Sequence, residues 1–257
     1  MIYTEKLTIA ALPPFRFDLN AEIFANGDEQ IRNYKNGRFW QVIRVNGKLI
    51  LAIIEAAGTV DKPKVSAELG SNGAIAEEDR KKAEETVNTL FNLDYNLAPF
   101  YEGVSNDKTM AHLTRQLWGL KSPTTQTVFE ALVDSIVEQQ ISLKVANAIE
   151  CKITKKFGDT LDLEGNTYYV YPTPQSLASA SIEEIRQCGL SLRKAEYIKE
   201  VSAFITQGKL DLSKLRNYES AEQIIRELDE IRGIGVWTAE LTMLRGMQRL
   251  EALPADD

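Results

Sequence analysis

The sequence has few of the side chains that build metal centres. Its 257 residues include two cysteines, Cys151 and Cys188, and one histidine, His112. A zinc knuckle or a four-cysteine iron–sulfur loop needs more thiols than this, and both cysteines lie among apolar neighbours at helical spacing, as buried structural thiols do. The histidine, flanked by Ala111 and Leu113, is in a setting more typical of packing than of general-base catalysis. We therefore expect no metal and no cofactor.

Long apolar runs are also missing. No uncharged apolar stretch approaches the ~20 residues needed to cross a bilayer. The first residues, MIYTEK, lack the basic region followed by an apolar region that marks a signal peptide. We expect no membrane partner, and the cytoplasm is the expected compartment.

An excess of positive charge is absent as well. The chain has 30 Lys and Arg against 37 Asp and Glu, a net charge of −7. Proteins that bind nucleic acid usually show clustered Lys and Arg that neutralise phosphates, so the charge argues mildly against such a partner. A local basic face on an acidic protein remains compatible with it.

The first hundred residues have an α+β pattern. The apolar runs FWQVIRV and KLILAIIE flank Asn46-Gly47, and this dipeptide favours a type I′ hairpin turn because both positions need a positive φ. A third strand is predicted over 65–69. A charged, Ala-rich helix is predicted over 76–93, with an inward face formed by Val87, Leu90 and Phe91.

After about residue 100, helical periodicity replaces the strand pattern. We therefore divide the chain into an N-terminal antiparallel α+β domain, residues 1–100, and an all-α region, residues 101–257. One helix is predicted to open at Thr173-Pro174, and the next at a capping box formed by Ser181 and Glu184. Further helices are predicted over 192–207, 221–231 and 238–247.

The segment from Leu228 to Ala239 predicts two helices joined by a Gly-x-Gly turn. Gly233 and Gly235 allow positive φ and close approach of another backbone. The second helix begins at the turn, so its unpaired N–H groups can face a DNA phosphate and anchor the backbone without reading sequence. A lone Gly-x-Gly turn is more often a plain helix connection, so the surrounding motifs decide between these interpretations.

Five motifs occur in order along the second region. They are Phe129–Ser142, Tyr171–Pro174, Gly189–Ser191 with Arg193–Ala195, Gly233–Ala239, and Leu253–Asp257. With these motifs in this order, the sequence resembles the helix-hairpin-helix DNA glycosylases, and is closest in pattern to the branch that removes alkylated bases, the 3-methyladenine type II enzymes. The N-terminal strands are similar to the extra α+β domain of the three-domain alkyl-base glycosylases.

The resemblance implies a base-excision repair enzyme. Its partner would be double-stranded DNA containing damaged bases, and we expect a monomer associated with the nucleoid. The family's essential aspartate corresponds to Asp257, the twentieth residue after Trp237, with Asp256 as the second candidate. A carboxylate there can stabilise the oxocarbenium character of the sugar and can orient or deprotonate a water.

The resemblance also bears on reaction type and substrate. Bifunctional relatives carry a Schiff-base lysine two residues after the second hairpin glycine, where this chain has Trp237. We therefore expect hydrolysis without lyase activity. Trp237 is implied to lie in the base pocket, where its ring face would favour a cationic alkylated purine; an ordinary packed tryptophan is the alternative. Leu241 corresponds to a pocket tyrosine of some relatives.

The same comparison implies the DNA contacts. Gln139 and Gln140 lie in the loop that enters the DNA and fills the gap left by the flipped nucleotide, with Gln140 favoured as the wedge; a polar helix break is the alternative. The other implied DNA-binding residues are Ser142, Gly233, Gly235 and Thr238.

Two other functions stay open at this stage. One is an oxidised-purine DNA glycosylase, and the other is a non-catalytic helix-hairpin-helix DNA-binding module. The second is favoured by the end of the sequence at Asp257, where relatives continue with helices that close the pocket. We interpret the region as truncated at its C-terminal end, and expect the chain to bind DNA but to excise bases poorly unless extended.

Overall fold

The computed structural model describes residues 3–254, which form two compact units. The first unit contains residues 3–123 and Thr160–Tyr168. The second contains Thr124–Asp159 and residues 169–254. The α+β fold class predicted from the sequence is confirmed.

The first unit is built on an antiparallel sheet of five strands in the order β1-β5-β4-β3-β2. Its strands are β1 (Tyr3–Ala10), β2 (Arg32–Lys35), β3 (Arg38–Val45), β4 (Lys48–Ala56) and β5 (Lys64–Ser71). Its helices are α1 (Phe17–Phe24), α2 (Glu77–Phe91), α3 (Ala98–Val104) and α4 (Lys108–Gln116).

The predicted hairpin and helix form the centre of this unit. Val45 of β3 pairs with Lys48 of β4, and the turn residues Asn46 and Gly47 have φ of 47° and 79°, as a type I′ turn requires. The inward face predicted for α2 is fully buried. Phe91 at its end packs edge-on against Phe39 of the sheet, with ring centroids 5.1 Å apart.

The predicted boundary near residue 100 falls inside the first unit, because the chain after α4 is bonded to it. The carbonyl of Gly119 accepts a hydrogen bond from Asn20 Nδ2 at 2.9 Å. The buried ammonium of Lys121 donates to the carbonyls of Leu12 and Leu93 at 2.8 and 2.9 Å. The loss of the strand pattern in the sequence therefore marks the end of the sheet, and the unit continues through α3 and α4.

The second unit is mostly helical. Its helices are α5 (Val128–Glu138), α6 (Leu143–Phe157), α7 (Pro174–Ser179), α8 (Ile182–Arg186), α9 (Leu192–Thr206), α10 (Leu212–Arg216), α11 (Ala221–Asp229) and α12 (Val236–Met247). Thr173 caps α7, and Ser181 and Glu184 form the predicted capping box of α8. No helix among residues 3–254 is long and apolar enough to span a membrane.

One feature corrects the expectation that everything after residue 100 is helical. A two-stranded hairpin, β6 (Asp159–Leu163) and β7 (Asn166–Val170), separates α6 from α7. Its turn residues Glu164 and Gly165 have φ of 50° and 79°. The hairpin forms because strand-type alternation continues through this segment on both sides of a turn that tolerates positive φ.

Lys121 gives the first unit a predictable pH dependence. Burial lowers the pKa of its ammonium to about 8 from an ordinary 10.5, so the unfolded chain binds more protons than the folded chain between these values. Stability should therefore rise with pH across this window, by on the order of 3 kcal/mol relative to Lys121→Met. Urea unfolding from pH 7.5 to 10.5, followed by tryptophan fluorescence, measures this difference. Parallel profiles for the two proteins would contradict it.

Candidate functional site

The segment between α11 and α12 forms the predicted helix-turn-helix. Gly233 has φ +88°, in the left-handed region that favours glycine. Gly235 is the N-cap of α12, with φ −96° and ψ −179°, an extended conformation open to any residue. The two glycines therefore have different roles, and only Gly233 is required by backbone conformation.

Gly233 is also required by packing. A Cβ at this position would lie 2.2 Å from Cδ2 of Tyr197 on α9, so the tyrosine ring packs directly on the turn. The guanidinium of Arg232 lies over the same ring, 5.4 Å from its centroid, and pairs with Glu196 at 3.0 Å. Sequence reasoning missed Tyr197, since no local pattern links it to the hairpin.

Gly235, in contrast, leaves the start of α12 open. A Cβ there would have no heavy atom within 4 Å, and no side chain caps the helix. The main-chain N–H groups of Val236, Trp237 and Thr238 have no intrahelical partner, because the first turn of a helix has no preceding carbonyls. Val236 is 51% exposed. Such a helix end attracts an anion.

The structure brings Gln139 to the hairpin. Its Nε2 donates to the Gly233 carbonyl and to Thr238 Oγ1, both at 2.9 Å, so this side chain and that of buried Thr238 brace the turn. Gln140 is exposed, with φ +57°. Ser142 is the exposed N-cap of α6, and its side chain makes no cap hydrogen bond.

The predicted pocket residues lie one turn apart on α12. Trp237 is half-buried, and Leu241 is buried, so the two share a face of the helix. The predicted catalytic residues, Asp257 and Asp256, lie outside the described residues.

Buried acids lie along α5, which packs against α12. Glu130, Asp134 and Glu138 follow one another at four-residue spacing and are all buried. Tyr171 donates its hydroxyl proton to Asp134 at 2.7 Å, and burial together with this carboxylate holds the pKa of Tyr171 well above its usual value.

Glu138 forms an ion pair with Arg245 of α12. The sequence analysis did not predict the pairing of Tyr171 with Asp134 or of Arg245 with Glu138, although the four-residue spacing of the acids is visible in the sequence. Among residues 3–254 the structure places no cluster of three or more His, Cys, Asp or Glu suited to a metal ion.

Comparison with known proteins identifies a family for the helical region. Residues 133–257 match the model of the HhH-GPD superfamily base excision DNA repair proteins. The DNA-3-methyladenine glycosylase of Bacillus subtilis is 27% identical over 249 residues, covering 95% of this chain and 80% of the relative.

Solved structures show the same fold. The 3-methyladenine DNA glycosylase of Archaeoglobus fulgidus matches with a TM-score of 0.83 and 24% identity, over 98% of this chain and 82% of that chain. The 8-oxoguanine glycosylase/lyase of Clostridium acetobutylicum, in complex with double-stranded DNA, matches with a TM-score of 0.73 and 20% identity, over 100% and 82%.

Over residues 133–257, the chain belongs to the HhH-GPD superfamily of base excision DNA repair proteins. Within that superfamily it is a base-excision repair DNA glycosylase. Relatives that it matches over most of their length, such as the one from Bacillus subtilis, are DNA-3-methyladenine glycosylases.

The two hairpin glycines should respond differently to the same substitution. Gly233→Ala introduces both a strained positive φ and an overlap with Tyr197, so it should lower the free energy of unfolding by more than about 2 kcal/mol. Gly235→Ala should cost less than about 1 kcal/mol, since its conformation is extended and its surroundings are open. Urea denaturation of the two variants measures the difference. Equal losses would show that Tyr197 does not restrict the turn.

Proposed function

We propose that the chain hydrolyses the N-glycosidic bond of alkylated purines, of the 3-methyladenine type, in duplex DNA after flipping the damaged base. The observation that carries the proposal is the start of α12, where main-chain N–H groups that no side chain caps and Trp237 occupy the same turn. An anchor for the DNA backbone and an aromatic surface for a base are thereby placed on one rigid element. The name of the B. subtilis relative supports the alkylated substrate.

Each part of the site has a distinct role in this proposal. The N–H groups of Val236 to Thr238 bind a phosphate of the DNA backbone. Gln140, exposed and held in the left-handed conformation, replaces the flipped base in the stack. The Trp237 ring attracts the positive charge of an alkylated purine more than a neutral base, and Leu241 forms an apolar floor below it.

Asp257 is the proposed catalytic carboxylate. It follows Trp237 by the spacing at which the family's essential aspartate falls, and it would stabilise the positive charge that develops on the sugar while the bond breaks. A lyase has its Schiff-base lysine at the position of Trp237. Because Trp237 has no amine that could attack the sugar, water adds to the sugar instead. The product is an intact strand with an abasic site.

DNA binding should depend on the open space at Gly235. Gly235→Asp puts a carboxylate where the phosphate would lie, so affinity for an undamaged duplex should fall by at least about tenfold, while Gly235→Ala falls less. Binding of the unmodified chain should weaken steeply with salt and depend little on sequence. Fluorescence anisotropy with labelled duplexes measures both. Unchanged affinity of a folded Gly235→Asp protein would remove this turn as the anchor.

Chromatography of single-lesion duplexes tests the reaction itself. The expected products are free alkylated base and an uncleaved abasic strand, with no covalent complex after borohydride reduction. Asp257→Asn should lower the single-turnover rate by at least about 100-fold relative to the unmodified chain of the same length. The matched control, Asp256→Asn, should change it by less than about threefold.

Three results would count against parts of this assignment. A trapped covalent enzyme would refute hydrolysis without lyase activity. Excision at full rate by the Asp257→Asn protein would refute that residue as the catalytic group. Release of oxidised but not alkylated purines would refute the proposed substrate.

A further inference from the structure

The ammonium of Lys194 completes the C-terminal end of α5. Lys194 lies in the first turn of α9, after the N-cap Ser191. Its half-buried Nζ donates to the carbonyls of Val137 at 2.8 Å and Gln139 at 2.6 Å. The last carbonyls of a helix have no intrahelical partner and are stabilised by a cation. Lys194 supplies that cation from a neighbouring helix.

The placement of this charge has a cost on α9 itself. A cation in the first turn of a helix lies near the positive end of the helix dipole, and burial lowers the pKa of Lys194. A lysine at this position would ordinarily extend into water. The carbonyls of Val137 and Gln139 offset these costs.

The carbonyl of Gln139 directly precedes Gln140, the residue proposed to enter the DNA. The carbonyl of Gln139 belongs to the peptide group that joins Gln139 to Gln140. A hydrogen bond to this carbonyl fixes the orientation of that peptide plane, and the φ of Gln140 is the rotation about the bond that follows it. Gln140 has φ +57°, which a non-glycine residue keeps only where its surroundings hold it. Lys194 is the side chain that holds that peptide.

Gln139 is also bonded to the hairpin. The side chain of Gln139 donates to Gly233 and Thr238, as described above. The main chain of Gln139 is therefore bonded to Lys194 on α9, and its side chain is bonded to the turn between α11 and α12. Loss of Lys194 would leave the side-chain bonds but free the peptide that orients Gln140.

We propose that Lys194 is a positioning residue for base flipping, which acts by holding the peptide before Gln140. The inference rests on the proposed function, in which Gln140 fills the gap in the stack. A wedge that is not held in position enters the stack more slowly, and small misplacements of a working group lower rates by up to about 100-fold.

Lys199, on the same helix, provides a matched control. Its Nζ donates to the carbonyls of Ala178, at 3.0 Å, and Ala180 at the end of α7. The chemistry is the same as at Lys194, but α7 does not lead into the loop that holds Gln139 and Gln140. Lys194→Met and Lys199→Met therefore remove equivalent helix-end contacts, and we expect similar decreases in Tm.

The experiment follows insertion without requiring excision. A duplex carries a tetrahydrofuran abasic analogue with 2-aminopurine as its neighbour, and stopped-flow fluorescence records the insertion step. Lys194→Met should slow this step by about 10- to 100-fold, with affinity for an undamaged duplex within about threefold. Lys199→Met should leave the rate unchanged, and Lys194→Arg, which keeps the charge and the donors, should restore most of it.

A double-mutant cycle shows whether Lys194 acts through Gln140. Gln140→Ala should slow insertion as well, and adding Lys194→Met to it should give no further slowing. Additive effects, a normal rate for Lys194→Met, or equal slowing by Lys199→Met would each overturn the proposal. No fluorescence change with the unmodified chain would overturn it together with the wedge assignment. Failure of excision with normal insertion would count against the proposed substrate and leave Lys194 in its role.

Discussion

The close packing of α5 against α12 is the contact on which the second unit depends. All eleven residues of α5 are buried, so this helix is surrounded on every side. Gly246 lies where the helices meet, and a Cβ there would fall 2.7 Å from Cβ of Ala131 and 3.0 Å from Cα of Val128. The last residue of α5, Glu138, is paired with Arg245. The loop that holds Gln139 and Gln140 begins directly after it, so this packing sets the distance between that loop and the hairpin.

The elements that the sequence predicts well are those with local signals. The turn at Asn46-Gly47 and the box of Ser181 with Glu184 each involve residues a few positions apart, and both form as expected. β1 was not predicted, since it is specified by pairing with β5, which lies far along the chain. The hairpin at Glu164-Gly165 was overlooked although its turn carries a readable signal.

The candidate site likewise contains some residues that local signals predict and others that they do not. The hairpin and the exposure of Gln140 follow from motif and spacing. The inward direction of Gln139 does not, because a glutamine after a helix carries no local indication of which carbonyl it will reach. Lys194 belongs to a motif that the sequence marks and Tyr197 lies just beyond it, yet their contacts with Gln139 and Gly233 arise only when α9 is packed against both. Tertiary contacts of this kind have no one-dimensional pattern to read.

The open start of α12 affects how the protein responds to mutation. An anion held by main-chain N–H groups is held by atoms that every amino acid except proline possesses. Truncating side chains one at a time along 236–238 therefore leaves these N–H groups in place, and an alanine scan would undervalue any anion binding by this segment. Because the N–H groups carry no net charge, they also allow a chain of net charge −7 to hold a phosphate without a lysine or arginine at that point. The substitutions that reveal such a surface are those that fill space, add negative charge or introduce proline.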